Sequence, residues 1–262
     1  MNDFSCLQEY AEDALGVPVK MFAPADIGGV VQGLLGGTLD VAWIGPSAYA
    51  SIYLQDQDAV EPVLVKINLD GSFGYHSIGF ARVDRNIASL EDMKGKVFGF
   101  GDPNSTSGYL IPSIEIPKQI GATMDSGDYF GEVKFTGGHE QTIVAVFNGD
   151  IDAGVTWSDA QGDWEDGYNS GALRKAADAG LVEMNDLVQI WKSAVIPESP
   201  VVVRKSMPED AKTAIIKLWG NLYETDQECA YNVGAGESLG WDPIDHSLYE
   251  SVVEARRIKS GG

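Results

Sequence analysis

Apolar residues at the start of the chain recur with helical spacing. Phe4, Leu7, Tyr10, Ala11, Ala14 and Leu15 fall on one face of a helix over residues 3–15, closed by Gly16. The pattern then shortens. Val17 to Ala23 predicts a strand, Gly28 to Leu35 a short helix, and Asp40 to Gly45 a buried strand ending in a turn at Gly45-Pro46. After a helix over Ser47 to Leu54, the apolar runs Pro62 to Asn68 and Tyr75 to Val83 are joined by Leu69-Asp70-Gly71-Ser72, which predicts a hairpin or a crossing between lobes. Ser89 to Gly95 reads as a compact helix with Ser89 as N-cap and Gly95 as terminator, feeding a strand over Val97 to Phe100. A helix over Ile111 to Ile120 tolerates Pro112 in its first turn, whereas Pro117 predicts a kink or an early end. A strand over Glu132 to Thr136, a turn over Gly137 to Glu140, a helix over Thr142 to Phe147 and a strand over Ile151 to Trp157 follow as a second set of units with a lobe of their own. Strands over Leu187 to Lys192 and Pro200 to Arg204 are separated by a linker carrying Pro197 and Pro200, and helices over Pro208 to Tyr223, Asp226 to Asn232 and Ile244 to Ile258 end the chain. Strands alternating with helices in this way predict an α/β fold with mostly parallel sheet. There is no internal repeat and no low-complexity stretch.

One junction carries chemistry. Gly101-Asp102-Pro103-Asn104-Ser105-Thr106-Ser107-Gly108 follows a strand and precedes a helix. Asp102-Pro103-Asn104 is turn chemistry, and three consecutive hydroxyls then fall where the first backbone N–H groups of a helix have no internal partner. Outward N–H groups, the helix dipole and hydroxyl donors together describe a site for a tetrahedral anion. A single Ser there would be read as an ordinary helix cap; three in a row raise the anion site to an equal reading.

Composition limits what this loop serves. The 262 residues suit two ordinary lobes or one large α/β domain, and 44% hydrophobic residues with 31 Gly and 22% charged residues describe a packed globular chain. Subtracting 39 acidic from 18 basic residues leaves a net charge of −21. A field of that sign excludes nucleic acid and anionic membrane surfaces as partners and makes anion binding depend on short-range donors. No apolar run reaches the length of a membrane span, and no signal peptide precedes Asn2, so the sequence reads as a soluble form, either mature or trimmed for expression, whose true start is open. Cys6 and Cys229 allow one disulfide, or two buried thiols. Catalysis has little support: Ser105, His139 and Asp159 contain the residue types of a triad, but the Gly-x-Ser-x-Gly elbow is absent. His139-Glu140 lacks a second His at Ile143, and with only His76, His139 and His246 no metal site is expected, nor any cofactor.

The anion loop followed by Leu110-Ile111-Pro112 resembles the signature loop of the periplasmic phosphonate-binding proteins of ABC importers. Phe22-Ala23-Pro24, Asp40-Val41-Ala42-Trp43 with Gly45, Gly74-Tyr75, Gly138-His139-Glu140, Ile190 to Ser193, Ile196-Pro197 and Leu239-Gly240-Trp241 resemble the same family in the same order, over about nine tenths of the chain. The resemblance implies a two-lobe type II periplasmic binding protein of α/β class, with two hinge crossovers and the ligand held between lobes that close on it. Lobe 1 would comprise residues 1–75 and 195–262, and lobe 2 residues 76–194. Hinges would fall near Tyr75 to Ser77 and Lys192 to Pro197. The family's first strand, before the helix that starts near Phe4, is missing here, which implies truncation.

Carried over by resemblance, Ser105, Thr106 and Ser107 would bind phosphonate oxygens and His139 would add a donor. Tyr75 would line the site, with core packing as its ordinary alternative. Asp159 would hold the ammonium of an aminoalkylphosphonate such as 2-aminoethylphosphonate, or else cap a helix. Ile27 stands where aminoethylphosphonate binders of the family carry a tyrosine, and Ser199, beside Glu198, where they carry a second Asp. Tyr49 would replace the lost aromatic wall or face the core as an ordinary helix residue. The family further implies a monomer in the periplasm that delivers its ligand to an inner-membrane ABC permease. Alternatives on the same fold are a binder of phosphite, phosphate or methylphosphonate; a phosphoester or phosphonate hydrolase is the distant one.

Overall fold

The computed structural model of the chain describes residues 4–261. Asp3, the first residue of the expected opening helix, lies outside them. In chain order the elements are α1 (Cys6–Leu15), α2 (Ile27–Leu35), β1 (Val41–Trp43), α3 (Pro46–Gln55), β2 (Val60–Lys66), β3 (Gly74–Arg82), β4 (Val97–Phe100) and α4 (Pro112–Ile120). There follow β5 (Glu132–Phe135), α5 (His139–Asn148), β6 (Ala153–Ser158), α6 (Ala172–Asp178), β7 (Leu187–Lys192) and β8 (Ile196–Pro197). The chain closes with β9 (Pro200–Arg204), α7 (Glu209–Thr225), α8 (Gln227–Gly234), β10 (Trp241–Pro243) and α9 (Glu250–Lys259). It divides into two compact units, Met1–Phe73 with Pro197–Gly262, and Gly74–Ile196. These boundaries differ by two residues at each crossing from the expected 75/76 and 194/195.

In the first unit the sheet order is β1-β9-β2-β10, and every pairing is antiparallel. That corrects the expected parallel sheet. β1 and β2 do run the same way, as a crossover through α3 requires, but β9 returns from the other unit and inserts between them in the opposite direction. The period of two then divides the core. Val201 and Val203 face α1, α7 and α8 with Leu64, Trp219 and Trp241, while Val202 faces α2, α3 and the turn before α9 with Leu34, Tyr49, Ile52 and Tyr249. Cys6 and Cys229 form a disulfide that ties α1 to α8, and the Tyr10 hydroxyl donates to Asp226, the N-cap of α8, at 2.9 Å.

The second unit has the order β5-β4-β6-β3-β7. β4 pairs in parallel with β5 and β6, whereas β3 is antiparallel to both β6 and β7. Four strands therefore point one way, with β3 opposed to them. Phe98 and Phe100 pack with Ile116 and Phe130 on one face of this sheet; Ile78 and Phe80 pack with Ile143, Val146 and Leu173 on the other.

Other expectations fail for local reasons. Val17 to Ala23 forms no strand, because its backbone bonds to α1 side chains instead of a ladder: the Gln8 amide donates to Val19 O at 3.0 Å, and Val19 N–H donates to Glu12 at 3.1 Å. Residues 89–95 hold only a 3₁₀ turn, Glu91–Met93, since the Asp92 carboxylate takes the N–H groups of both Ala88 and Ser89, so Asp92 and not Ser89 organises the segment. α4 runs through Pro117 to Ile120. The link after β2 is a crossing and no hairpin, because β2 and β3 belong to different sheets. The last helix begins at Glu250, after β10 and a 3₁₀ turn at His246–Tyr249.

Candidate anion-binding site

The parallel strands β5, β4 and β6 end along one edge of the second sheet, and the loops that leave them carry the candidate residues. The opposed strand β3 begins at that same edge, with His76 paired to Ser158. Carboxyl ends of parallel strands are where helix N-termini, and hence backbone donors, collect in an α/β unit.

The loop after β4 is braced by its own polar groups. Asn104 N–H donates to the Asp102 carboxylate at 2.6 Å, Ser105 N–H to Asp102 O at 2.9 Å, and Gly101 N–H to Gly108 O at 2.9 Å. Ser105 is then an N-cap, its Oγ accepting Gly108 N–H at 2.9 Å. The helix does not start as an α-helix. Thr106–Leu110 is a π turn, in which Leu110 N–H reaches Ser105 O and Ile111 N–H reaches Thr106 O, each five residues back. Such wide turns concentrate at functional sites because they re-aim side chains at a helix start. Ser105, Thr106 and Ser107 are all buried. The Ser77 hydroxyl of β3 donates to Ser107 O at 2.6 Å, and Ser77 N–H donates to Ser193 Oγ at 2.9 Å.

His139 arrives from the loop after β5. That loop is fastened to the first one, with Thr136 N–H on Phe100 O and Gly137 N–H on Gly101 O. The Thr142 hydroxyl caps Gly138 O at 2.8 Å, and His139 becomes the first residue of α5 instead of part of a free turn. Close packing of α5 on the sheet depends on Gly154 of β6, where a Cβ would lie 2.4 Å from Thr142 Cγ2. The result is a line of three side chains: Ser105 Oγ stands 3.2 Å from His139 Nε2, and His139 Nδ1 stands 3.1 Å from Thr156 Oγ1 of β6. Gly108 completes the fit, since a Cβ there would lie 2.8 Å from Ser105 Oγ and 3.2 Å from His139 Cε1. Loss of hydration holds the His139 pKa down to about 4, so the ring is neutral at pH 7.

Asp159 directly follows β6 and is buried. No helix starts beside it; its Oδ1 accepts Gln161 N–H at 3.2 Å in an Asx turn. The loop it opens contains Ala160 at φ 55° and Tyr168 at φ 71°, left-handed conformations that non-glycine residues adopt only where the surroundings compel them. Burial first, then the charge of Asp159, raises the Tyr168 pKa, and the Tyr168 hydroxyl donates to Gln189. Tyr75, at the start of β3, is buried with its ring edge-on to Trp157 at 6.1 Å.

Ser105 and His139 are thus joined by a hydrogen bond, with Thr106 and Ser107 following Ser105 on the same turn and Tyr75 and Asp159 at the same end of the sheet. Tyr49 stands in the first unit, where its ring packs in the core and its hydroxyl is 2.8 Å from His246 Nδ1. Glu198, also of the first unit, is fully buried and lies 3.6 Å from Lys66 Nζ. Sequence reasoning missed Ser77, Thr156 and Tyr168. A hydroxyl inside an apolar strand such as β6 was the available signal for Thr156. Among the described residues no group of three His, Cys, Asp or Glu could hold a metal ion, and no helix is long and apolar enough to cross a membrane.

A family profile described as "ABC transporter, phosphonate, periplasmic substrate-binding protein" matches residues 1–249. The phosphonates-binding periplasmic protein of Escherichia coli K12 is 31% identical over 252 residues, covering 94% of this chain and 68% of that protein. The phosphate-import protein PhnD of Mycolicibacterium smegmatis is 32% identical over 256 residues, covering 90% of this chain and 76% of that protein. Among solved structures, a binding protein component of an ABC phosphonate transporter from Pseudomonas aeruginosa superposes with a TM-score of 0.82 at 23% identity, covering 98% of this chain and 80% of that one.

Proposed function

The chain belongs to the family of periplasmic substrate-binding proteins of phosphonate ABC transporters, and we propose that it captures an aminoalkylphosphonate such as 2-aminoethylphosphonate for import. Its fold is that of a type II periplasmic binding protein. The family is one of substrate-binding proteins, not of enzymes; its members bind a small molecule and work with a membrane permease. We assign this chain to the periplasm on the same ground.

The anion end of the ligand meets Ser105, Thr106, Ser107 and His139. The observation that carries this reading is the position of the three buried hydroxyls at a helix start, with the imidazole of His139 within 3.2 Å of the first. Neutral donors of this kind can saturate the three oxygens of a phosphonate without a Lys or Arg clamp. For the organic end, Asp159 is the carboxylate offered to an ammonium group and Tyr75 the aromatic neighbour. A second reading, capture of inorganic phosphate, is favoured by the relative named for phosphate import.

Calorimetric titration against 2-aminoethylphosphonate, methylphosphonate, phosphite, phosphate and sulfate separates these. The proposal expects 2-aminoethylphosphonate to bind tightest and without release of phosphate. Tightest binding of phosphate, or no binding of any phosphonate, would overturn it.

A further inference from the structure

Thr156 is fully buried in β6 and makes its side-chain hydrogen bond to His139 and to nothing else among the described residues. Its hydroxyl has one hydrogen to place. Ser105 Oγ is already an acceptor, because Gly108 N–H donates to it. Two arrangements of the line Ser105–His139–Thr156 remain, and they differ in what they strand.

If His139 carried its proton on Nδ1, that N–H would donate to Thr156 Oγ1 and the Thr156 hydrogen would have no acceptor in a fully buried place. The Ser105 hydrogen would meanwhile be spent on Nε2 and lost to any ligand. If the proton sits on Nε2, the Thr156 hydroxyl donates to Nδ1, and Nε2–H donates to the second lone pair of Ser105 Oγ. Every donor and acceptor of the fully buried Thr156 hydroxyl and of the His139 ring is then used, and the one surplus hydrogen falls on Ser105, which keeps slight exposure. The Ser105 hydroxyl hydrogen is left over, at the mouth of the helix start.

We propose that Thr156 is a positioning residue which fixes His139 as its Nε2–H tautomer, so that the ring N–H faces Ser105 in the ligand-free protein and, together with the Ser105 hydroxyl hydrogen, is there to turn to an anion oxygen. The assignment of the anion to this cluster rests on the function proposed above; the tautomer does not. Its low pKa keeps the ring neutral, so that one tautomer persists through the neutral range.

The test is long-range 15N–1H NMR of the histidine rings in the ligand-free protein at pH 7, with His139 assigned by its disappearance in His139→Gln. Wild type is expected to show the Nε2–H pattern, Thr156→Val to lose it for a tautomer mixture, and Thr156→Ser to restore it. In parallel, calorimetry with 2-aminoethylphosphonate and with methylphosphonate should show about fivefold weaker binding of both in Thr156→Val, as expected for one misdirected neutral hydrogen bond, with recovery in Thr156→Ser. An Nδ1–H pattern in wild type, or an unchanged pattern in Thr156→Val, overturns the proposal. Should wild type bind neither phosphonate while the three ring patterns appear as expected, the tautomer assignment stands and the ligand reading falls.

Discussion

Neutral His139 has a price in acid. An ordinary histidine titrates near 6.5, and burial holds this one at about 4. Between these values the unfolded chain binds a proton that the folded chain refuses, so stability should rise with pH across that window and fall as the pH drops from 6.5 toward 4. With about 1.4 kcal/mol for each pKa unit, the full difference approaches about 3 kcal/mol, and the part expressed between pH 7 and pH 5 comes to about 2 kcal/mol. The ring keeps part of its surface exposed, which trims that toward about 1 kcal/mol by solvent screening. The carboxylates with lowered pKa values, such as Asp92, Asp128 and Asp226, lose their contribution only below the ordinary carboxylate range and leave this window clear. The perturbation is His139→Gln, which keeps a polar side chain and removes the titration. Urea unfolding at pH 7 and pH 5, followed by tryptophan fluorescence, should show wild type losing about 1 to 2 kcal/mol more than the variant. Parallel losses in both proteins would mean that His139 is not held neutral, and the donor geometry built on it would fall.

Three further expectations concern the rest of the account. Asp159→Asn should weaken 2-aminoethylphosphonate about thirtyfold to several thousandfold while methylphosphonate holds steady or improves, because only the first carries an ammonium group; an equal effect on both ligands in calorimetry would remove Asp159 from the ammonium site. Gly108→Ala should destabilise the protein by about 1 to 3 kcal/mol in urea titration, since the new methyl would lie 2.8 Å from Ser105 Oγ, and an unchanged midpoint would contradict that packing. Protein matured in an oxidising compartment should show no alkylatable thiol by mass spectrometry, and Cys6→Ser with Cys229→Ser should cost about 2 to 5 kcal/mol; two free thiols would refute the link between α1 and α8.

The elements legible in the sequence were those whose cause is local. The apolar period gave the strands of both sheets except β10 to within a few residues, and the turn before Ser105 announced a helix start because Asp102, Pro103 and Asn104 act on their own neighbours. What depends on distant chain was hidden. Val17 to Ala23 has the composition of a strand, but its backbone groups find α1 side chains first. Sheet direction in the first unit could not be read from β1, α3 and β2, since it is β9, more than 130 residues beyond β2, that separates them. Likewise the Ser105 hydroxyl and His139 were visible as residue types, whereas the contact between them depends on Gly108 and Gly154 leaving room. α6 went unread: its seven residues lie between the left-handed positions of Gly171 and Gly180, too short for a clear helical period. Thr156 could be read only as one more strand residue, because its role is set by a ring brought in from another loop.

The role proposed for the hydroxyls at the π turn is to bind the phosphorus end of the ligand. Its most direct test is calorimetry on the double variant Ser105→Ala with Thr106→Ala, whose folding is checked by circular dichroism. Each hydrogen bond to a buried anion contributes about 1.5 to 3 kcal/mol, so affinity for 2-aminoethylphosphonate and methylphosphonate alike should fall at least a hundredfold with the fold intact. Unchanged affinity for both ligands in a folded double variant would contradict the account.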